Sequence, residues 1–126
     1  YDPASGRGDG WIIEIPAGMV DESESPEDAV RREVTEETGY ALDSIRHIST
    51  FYVSPGGTSE RIILYYAAVT ATDRTDQGGG VASEGEDIRV LSVRVDEALR
   101  MIDDGRIADA KTIVALLWLQ VNRPPR

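Results

Sequence analysis

The chain has 126 residues, 40% of them hydrophobic, which is enough for one domain with a core, too little for two, and too apolar for disorder throughout. It carries 23 acidic against 13 basic side chains, and the formal net charge of −10, with no basic stripe to offset it, repels nucleic acid. Cysteine is absent, no apolar run approaches bilayer length and the N-terminus is not signal-like, so a soluble cytoplasmic protein without membrane or nucleic-acid partners is expected.

Residues 1–10 (YDPASGRGDG) read as turn and loop, and residues 11–15 as a short strand closed by Pro16. The spacing then predicts a helix that starts at Pro26. Ser25 caps it, Pro26 suits its first position, Asp28 stands three residues after the cap, and Gly39 supplies the left-handed stop. Glu33 and Glu37 lie one turn apart on this helix, with Glu36 three residues from Glu33; Ala29 continues that face, and Val30 and Val34 form an adjacent apolar one. Like charges so placed repel by roughly 1 to 3 kcal/mol per pair at a dielectric between water and protein surface. Arg32, four residues from both Asp28 and Glu36, relieves part of this. Two readings follow, a solvated acidic face or a set of hard oxygen ligands. Such ligands suit Mg²⁺ or Mn²⁺, which in turn grip phosphates. An anionic nucleotide is repelled by this chain unless bound cations compensate.

Residues 41–53 read as β structure, with His47 a packed or surface residue within it. Residues 54–59 (SPGGTS) form a turn, and residues 61–71 (RIILYYAAVTA) an apolar strand that pairs back across it as a hairpin. Residues 72–85 are polar, contain Gly78, Gly79 and Gly80, and support no regular element. They read either as a surface loop or as a lid carrying Glu84, Glu86 or Asp87 over a substrate. Residues 88–93 return to strand. Residues 95–104 form an amphipathic helix with Val95, Ala98, Leu99 and Ile102 on one side and Gly105 as its stop. Asp109 caps a last helix over residues 110–122, ended by Pro124 and Pro125. Ile113, Leu116, Leu117 and Gln120 lie on one face of it and Val114, Trp118 and Val121 on another, so burial on two sides is expected. There is no internal repeat and no second domain, and the irregular alternation fits α+β or mixed α/β layers.

Written with its spacing, the acidic stretch has Gly18, five residues, Glu24, seven residues, Arg32, Glu33, Val34, any residue, Glu36, Glu37, any residue, Gly39 and Tyr40. It resembles the Nudix box at every specified position. The resemblance implies an α/β/α sandwich around a mixed sheet, and hydrolysis of a nucleoside diphosphate linked to another moiety. Three further stretches look like the ADP-ribose and nucleotide-sugar pyrophosphatases: IPAG before the box, FYVSPGGTSE with Pro55 sixteen residues beyond Gly39, and GEDIRVLSVRVDEALRMIDDGRIADAKT. The combination GGG, GEDI and DAKT most resembles the GDP-mannose pyrophosphatase branch. One departure stands out. Relatives carry a further strand and loop, with a phosphate-binding arginine, between a YDP-like turn and the GW strand, so part of the N-terminal region is expected to be lacking.

Carried over residue by residue, the resemblance implies that Glu33 and Glu37, the carbonyl of Ala17, and Glu86 ligate Mg²⁺ or Mn²⁺, with Glu36 a frequent third carboxylate of the catalytic set. Glu60 matches the general base of the GDP-mannose branch, and late-loop Glu84 or Glu86 takes that part in the ADP-ribose branch. Ala17, Gly18, Glu60 and Lys111 match substrate contacts. The plain structural readings are a solvated loop carboxylate for Glu60 and a surface lysine for Lys111. A homodimer is also implied. GDP-mannose is the favoured substrate and ADP-ribose the alternative, and a non-catalytic nucleotide-binding module is the reading from a different class.

Overall fold

Local hydrogen bonds start and stop the acidic helix where its sequence predicts, in a computed structural model that describes residues 11–80 and 88–122. Glu84, Glu86 and Asp87 lie outside the described residues. Three helices, one hairpin and a 3-10 turn make up the regular structure of the described residues, a mixed α+β arrangement. The chain divides into two compact units, Pro16–Val90 and the combination of Tyr1–Ile15 with Leu91–Arg126.

In the first of these, α1 spans Pro26–Thr38. Extended Ser25 accepts a hydrogen bond from the Asp28 amide at 3.1 Å, and Gly39, at φ +80°, donates to Thr35 O at 2.9 Å. Both ends therefore follow the capping pattern. Strands β1 (Arg46–Tyr52) and β2 (Arg61–Tyr66) pair antiparallel, Thr50 opposite Ile63 and Phe51 opposite Ile62, with a register shift between His47 and Ser49. Leu64 is buried. His47 Nε2 lies 2.8 Å from Thr50 Oγ1, and its ring meets Tyr65 edge-on at 5.7 Å. Tyr65 in turn donates to Glu27 Oε1 at 3.2 Å, which ties the hairpin to the first turn of α1.

The hairpin is shorter than the apolar runs suggest, because other partners take the flanking backbone. Ala41 donates to Asp73 O at 2.8 Å, and Thr70 donates to the Asp73 carboxylate at 2.7 Å as it opens the 3-10 turn Ala71–Asp73.

The second unit packs α2 (Val95–Asp103) against α3 (Ala110–Val121). Ala98, Met101 and Ile107 form its buried centre, with Ile13, Ile102, Ile113 and Leu116 against them. Gly105 has φ +85°, consistent with its role as a stop after α2. Asp109 caps α3 through the Thr112 amide at 3.1 Å.

Three expectations are corrected. Residues 11–15 and 88–93 form no strand: the Ile15 amide goes to Thr112 Oγ1 at 3.0 Å and the Ile88 amide to Gly79 O at 3.3 Å, so no ladder takes them. Ile12, Leu91 and Val93 are exposed. The last helix is not buried on two sides either. Ile113 and Leu116 meet the core, whereas Val114, Leu117 and Val121 are exposed. Among the described residues, no helix is long and apolar enough to cross a membrane.

Candidate active site

Arg32 is the hub of the acidic face of α1. Its Nη2 and Nε reach the two oxygens of Glu24 at 2.7 and 3.2 Å, a bidentate pair. Nη1 donates to Glu33 Oε1 at 2.8 Å and to Glu36 Oε2 at 3.4 Å, and Nη2 also meets Met19 O at 3.3 Å. One guanidinium thus lies among three carboxylates that would otherwise repel. Its hydrogen bonds hold the Glu24 carboxyl below the usual carboxylate range, and Glu24 in turn raises Arg32, which stays charged at any working pH. Glu24 Oε1 also accepts from the Asp21 amide at 3.0 Å, so the loop before α1 is fastened to the helix by its own glutamate.

Two close approaches complete the arrangement. A Cβ on Gly18 would collide with the carboxyl carbon of Glu33, so only glycine lets the loop pass so near. Glu37 is 8% exposed, and its Oε2 accepts from the Ala17 amide at 3.1 Å. Its backbone carbonyl accepts from the Gly79 amide at 2.9 Å, and that of Glu36 from the Gly80 amide at 2.9 Å.

Ala17, Gly18, Glu33, Glu36 and Glu37 are therefore gathered around one helix. Glu60 is not part of that group's hydrogen bonding. It stands exposed at the foot of the hairpin, where its carbonyl accepts from Val53 at 3.3 Å and its amide donates to Thr58 Oγ1 at 3.0 Å. Lys111 belongs to the other unit, where Nζ donates to Glu14 at 3.1 Å and Asp109 at 3.0 Å. Burial works against its charge, yet these two carboxylates outweigh burial and hold it above the ordinary lysine range.

The periodicity reveals the Arg32–Glu36 pair but not the grip on Glu24, which lies off the helix. It also misses the return of residues 79 and 80 to the helix end. The three consecutive glycines are the signal that could have found it, since such a run marks backbone that needs positive φ.

The chemistry of the donor set bears on whether the divalent cation implied by the resemblance suits this face. Carboxylates of Glu33, Glu36 and Glu37 and the carbonyl of Ala17 are all hard oxygens. They fit Mg²⁺ or Mn²⁺ in kind. Among the described residues no three acidic or histidine side chains converge as a ligating group, and Glu33 and Glu36 turn to Arg32 instead.

A family model described as the NUDIX domain matches residues 3–116. A GDP-mannose pyrophosphatase from Enterobacter sp. (strain 638) is 40% identical over 118 residues, 94% of this chain and 60% of that protein. An ADP-ribose pyrophosphatase from Escherichia coli (strain K12) is 42% identical over 113 residues, 89% of this chain and 53% of that protein. A GDP-mannose pyrophosphatase from Escherichia coli O1:K1 / APEC is 42% identical over 118 residues, covering 94% and 60%. The chain spans between about half and three-fifths of the length of these curated relatives.

Proposed function

The chain belongs to the Nudix family, and from that premise we propose that it hydrolyses the pyrophosphate bond of a nucleoside diphosphate sugar, GDP-mannose first. The observation that carries this reading is the intact acidic face of α1, with Glu33, Glu36 and Glu37 present and held by Arg32, Gly18 and Ala17. A face meant only for solvent has no need of a glycine pressed against one carboxylate and an amide against another.

Pyrophosphatases of this family need divalent metal ions, and Mg²⁺, with Mn²⁺ as its substitute, is the proposed cofactor. Glu33, Glu37, the Ala17 carbonyl and Glu86 are the proposed ligands, with Glu36 beside them. When bound, the ion neutralises the pyrophosphate and makes water a better nucleophile. The protein's own part is to place the reacting groups. Glu60, or Glu84 in the ADP-ribose alternative, takes the proton of the attacking water, and Gly18 and Lys111 contact the substrate. The products are a nucleoside monophosphate and a sugar phosphate. The net charge of −10 favours a small anionic substrate brought in with cations over nucleic acid. A homodimer in the cytoplasm is the proposed working form.

ADP-ribose is kept as the second substrate because relatives at 42% identity carry that name. The test is incubation of the protein with Mg²⁺ and, in parallel, GDP-mannose, ADP-ribose and UDP-glucose, with products separated by chromatography. GMP and mannose 1-phosphate at the highest kcat/KM are expected. Preference for ADP-ribose moves the base to the late loop, and metal-dependent binding without turnover favours a nucleotide-binding module.

A further inference from the structure

The last turn of α1 puts Glu36 and Glu37 at the negative end of the helix, where carbonyls lack intrahelical partners. No basic side chain lies in that turn. The backbone of residues 73–80 returns to it instead. Gly79 donates to Glu37 O and Gly80 to Glu36 O, both at 2.9 Å, and Thr75 donates to Gly39 O at 2.7 Å. The Gly78 amide is held by Asp76 Oδ1 at 2.7 Å. Gly78, Gly79 and Gly80 have φ of +71°, +104° and +85°, a run that other residues rarely adopt. At Gly78 space forbids a side chain as well, since a Cβ there would lie 2.5 Å from Glu37 O.

Glu37 is thus held from two sides. Gly79 fixes its backbone carbonyl, and the Ala17 amide fixes its carboxylate. We propose that Gly78, Gly79 and Gly80 are positioning residues, a collar that fixes the helix end on which the Glu37 carboxylate stands and so sets where that oxygen is offered to a divalent cation. The proposal rests on Glu37 as a cation ligand, the reading given above. A helix end left to fray would carry the carboxylate with it, and supporting groups behind a ligand commonly govern affinity by tenfold or more.

The test is Gly78→Ala in the full chain, with hydrogen exchange at single amides and Mn²⁺ binding followed by electron paramagnetic resonance. The Ala17 amide is expected to exchange about tenfold faster or more, and Mn²⁺ affinity to fall about tenfold. The Ala29 amide, bonded to Ser25 O at 2.9 Å at the opposite end of α1, keeps its rate. If Gly78→Ala does not fold, Asp76→Ala releases the same collar without burdening φ, and the same expectations apply. A lowered Tm with Ala17 exchange and Mn²⁺ affinity unchanged overturns the proposal, as does a change in only one of the two. Failure of the parent protein to bind Mn²⁺ refutes the ligand reading separately, and Ala17 exchange alone then decides whether the collar positions Glu37.

Discussion

The Ala17 amide and the Glu37 carboxylate meet at 3.1 Å, so the residue before Gly18 is joined to the last turn of the acidic helix. Glu37 is 8% exposed. Glu37→Gln keeps an acceptor for Ala17 and removes the charge. Thermal melting is expected to shift by no more than about 1 kcal/mol, the worth of one hydrogen bond. Hydrolysis is expected to fall by about a hundredfold or more, because a lost cation ligand removes several kcal/mol of charge stabilisation. Equal activity in variant and parent would remove Glu37 from the ligand set.

Gly18→Ala places a methyl group where the Glu33 carboxyl now lies. Overpacking of this kind costs about 1–3 kcal/mol, and here the displaced group is a proposed ligand, so stability and activity fall together. Gly56→Ala is the matched control, since a Cβ there meets nothing within 4 Å and its melting should equal the parent's.

Arg32→Lys keeps the positive charge but not the fork. Lysine cannot reach both oxygens of Glu24 while also serving Glu33 and Glu36. A loss of about 1–2 kcal/mol is expected in chemical denaturation, since bonds to charged groups are among the stronger ones and this side chain is only 32% exposed. A variant as stable as the parent would mean that the network adds nothing beyond charge.

Acid should unfold the protein through Glu24 and Asp109. Hydrogen bonding from Arg32 depresses Glu24. For Asp109, burial pushes the carboxyl upward, but bonds from Thr112 and Lys111 outweigh it and leave the group below its ordinary value. A carboxylate depressed in the folded state binds its proton more readily when unfolded. Its stabilisation is therefore complete above the unfolded value of about 4 and lost as pH falls through the lower folded value. Melting temperatures measured downward from pH 7 should be flat at first and then decline below about pH 4. Asp109→Asn, which retains a cap for α3 but not the ion pair with Lys111, should decline less steeply over that window. A parent whose stability rises with acid would contradict both assignments.

Features carried by neighbours in sequence were legible. The Ser25 cap, the Gly39 stop, the Arg32–Glu36 pair, the Asp109 cap and the hairpin across SPGGTS all follow from spacing, and the structure contains each. Features that depend on distant partners were not. Residues 11–15 look like a strand because apolar alternation says which side chains want cover, not whether a ladder exists to receive the backbone; the Ile15 amide found Thr112 instead. Val114 and Val121 are as apolar as Ile113 and Leu116, and only the arrangement of α2 decides which of them is covered. In the candidate site, the composition of the acidic face was readable, whereas the grip of Arg32 on Glu24 required the path of the loop before α1.

The glycine collar also bears on the order in which the chain acquires its structure. The bonds that start α1 are local, Asp28 to Ser25 Oγ and Ala29 to Ser25 O, and involve no residue outside the first turn. Its far end waits for a segment about forty residues later, and closing a loop of that length costs about 3 kcal/mol of chain entropy before any contact is gained. A nascent chain that stops short of Gly78 contains the whole motif, yet leaves the carbonyls of Glu36 and Glu37 without their glycine donors. The motif is contiguous in sequence, but its folded form depends on chain made long after it.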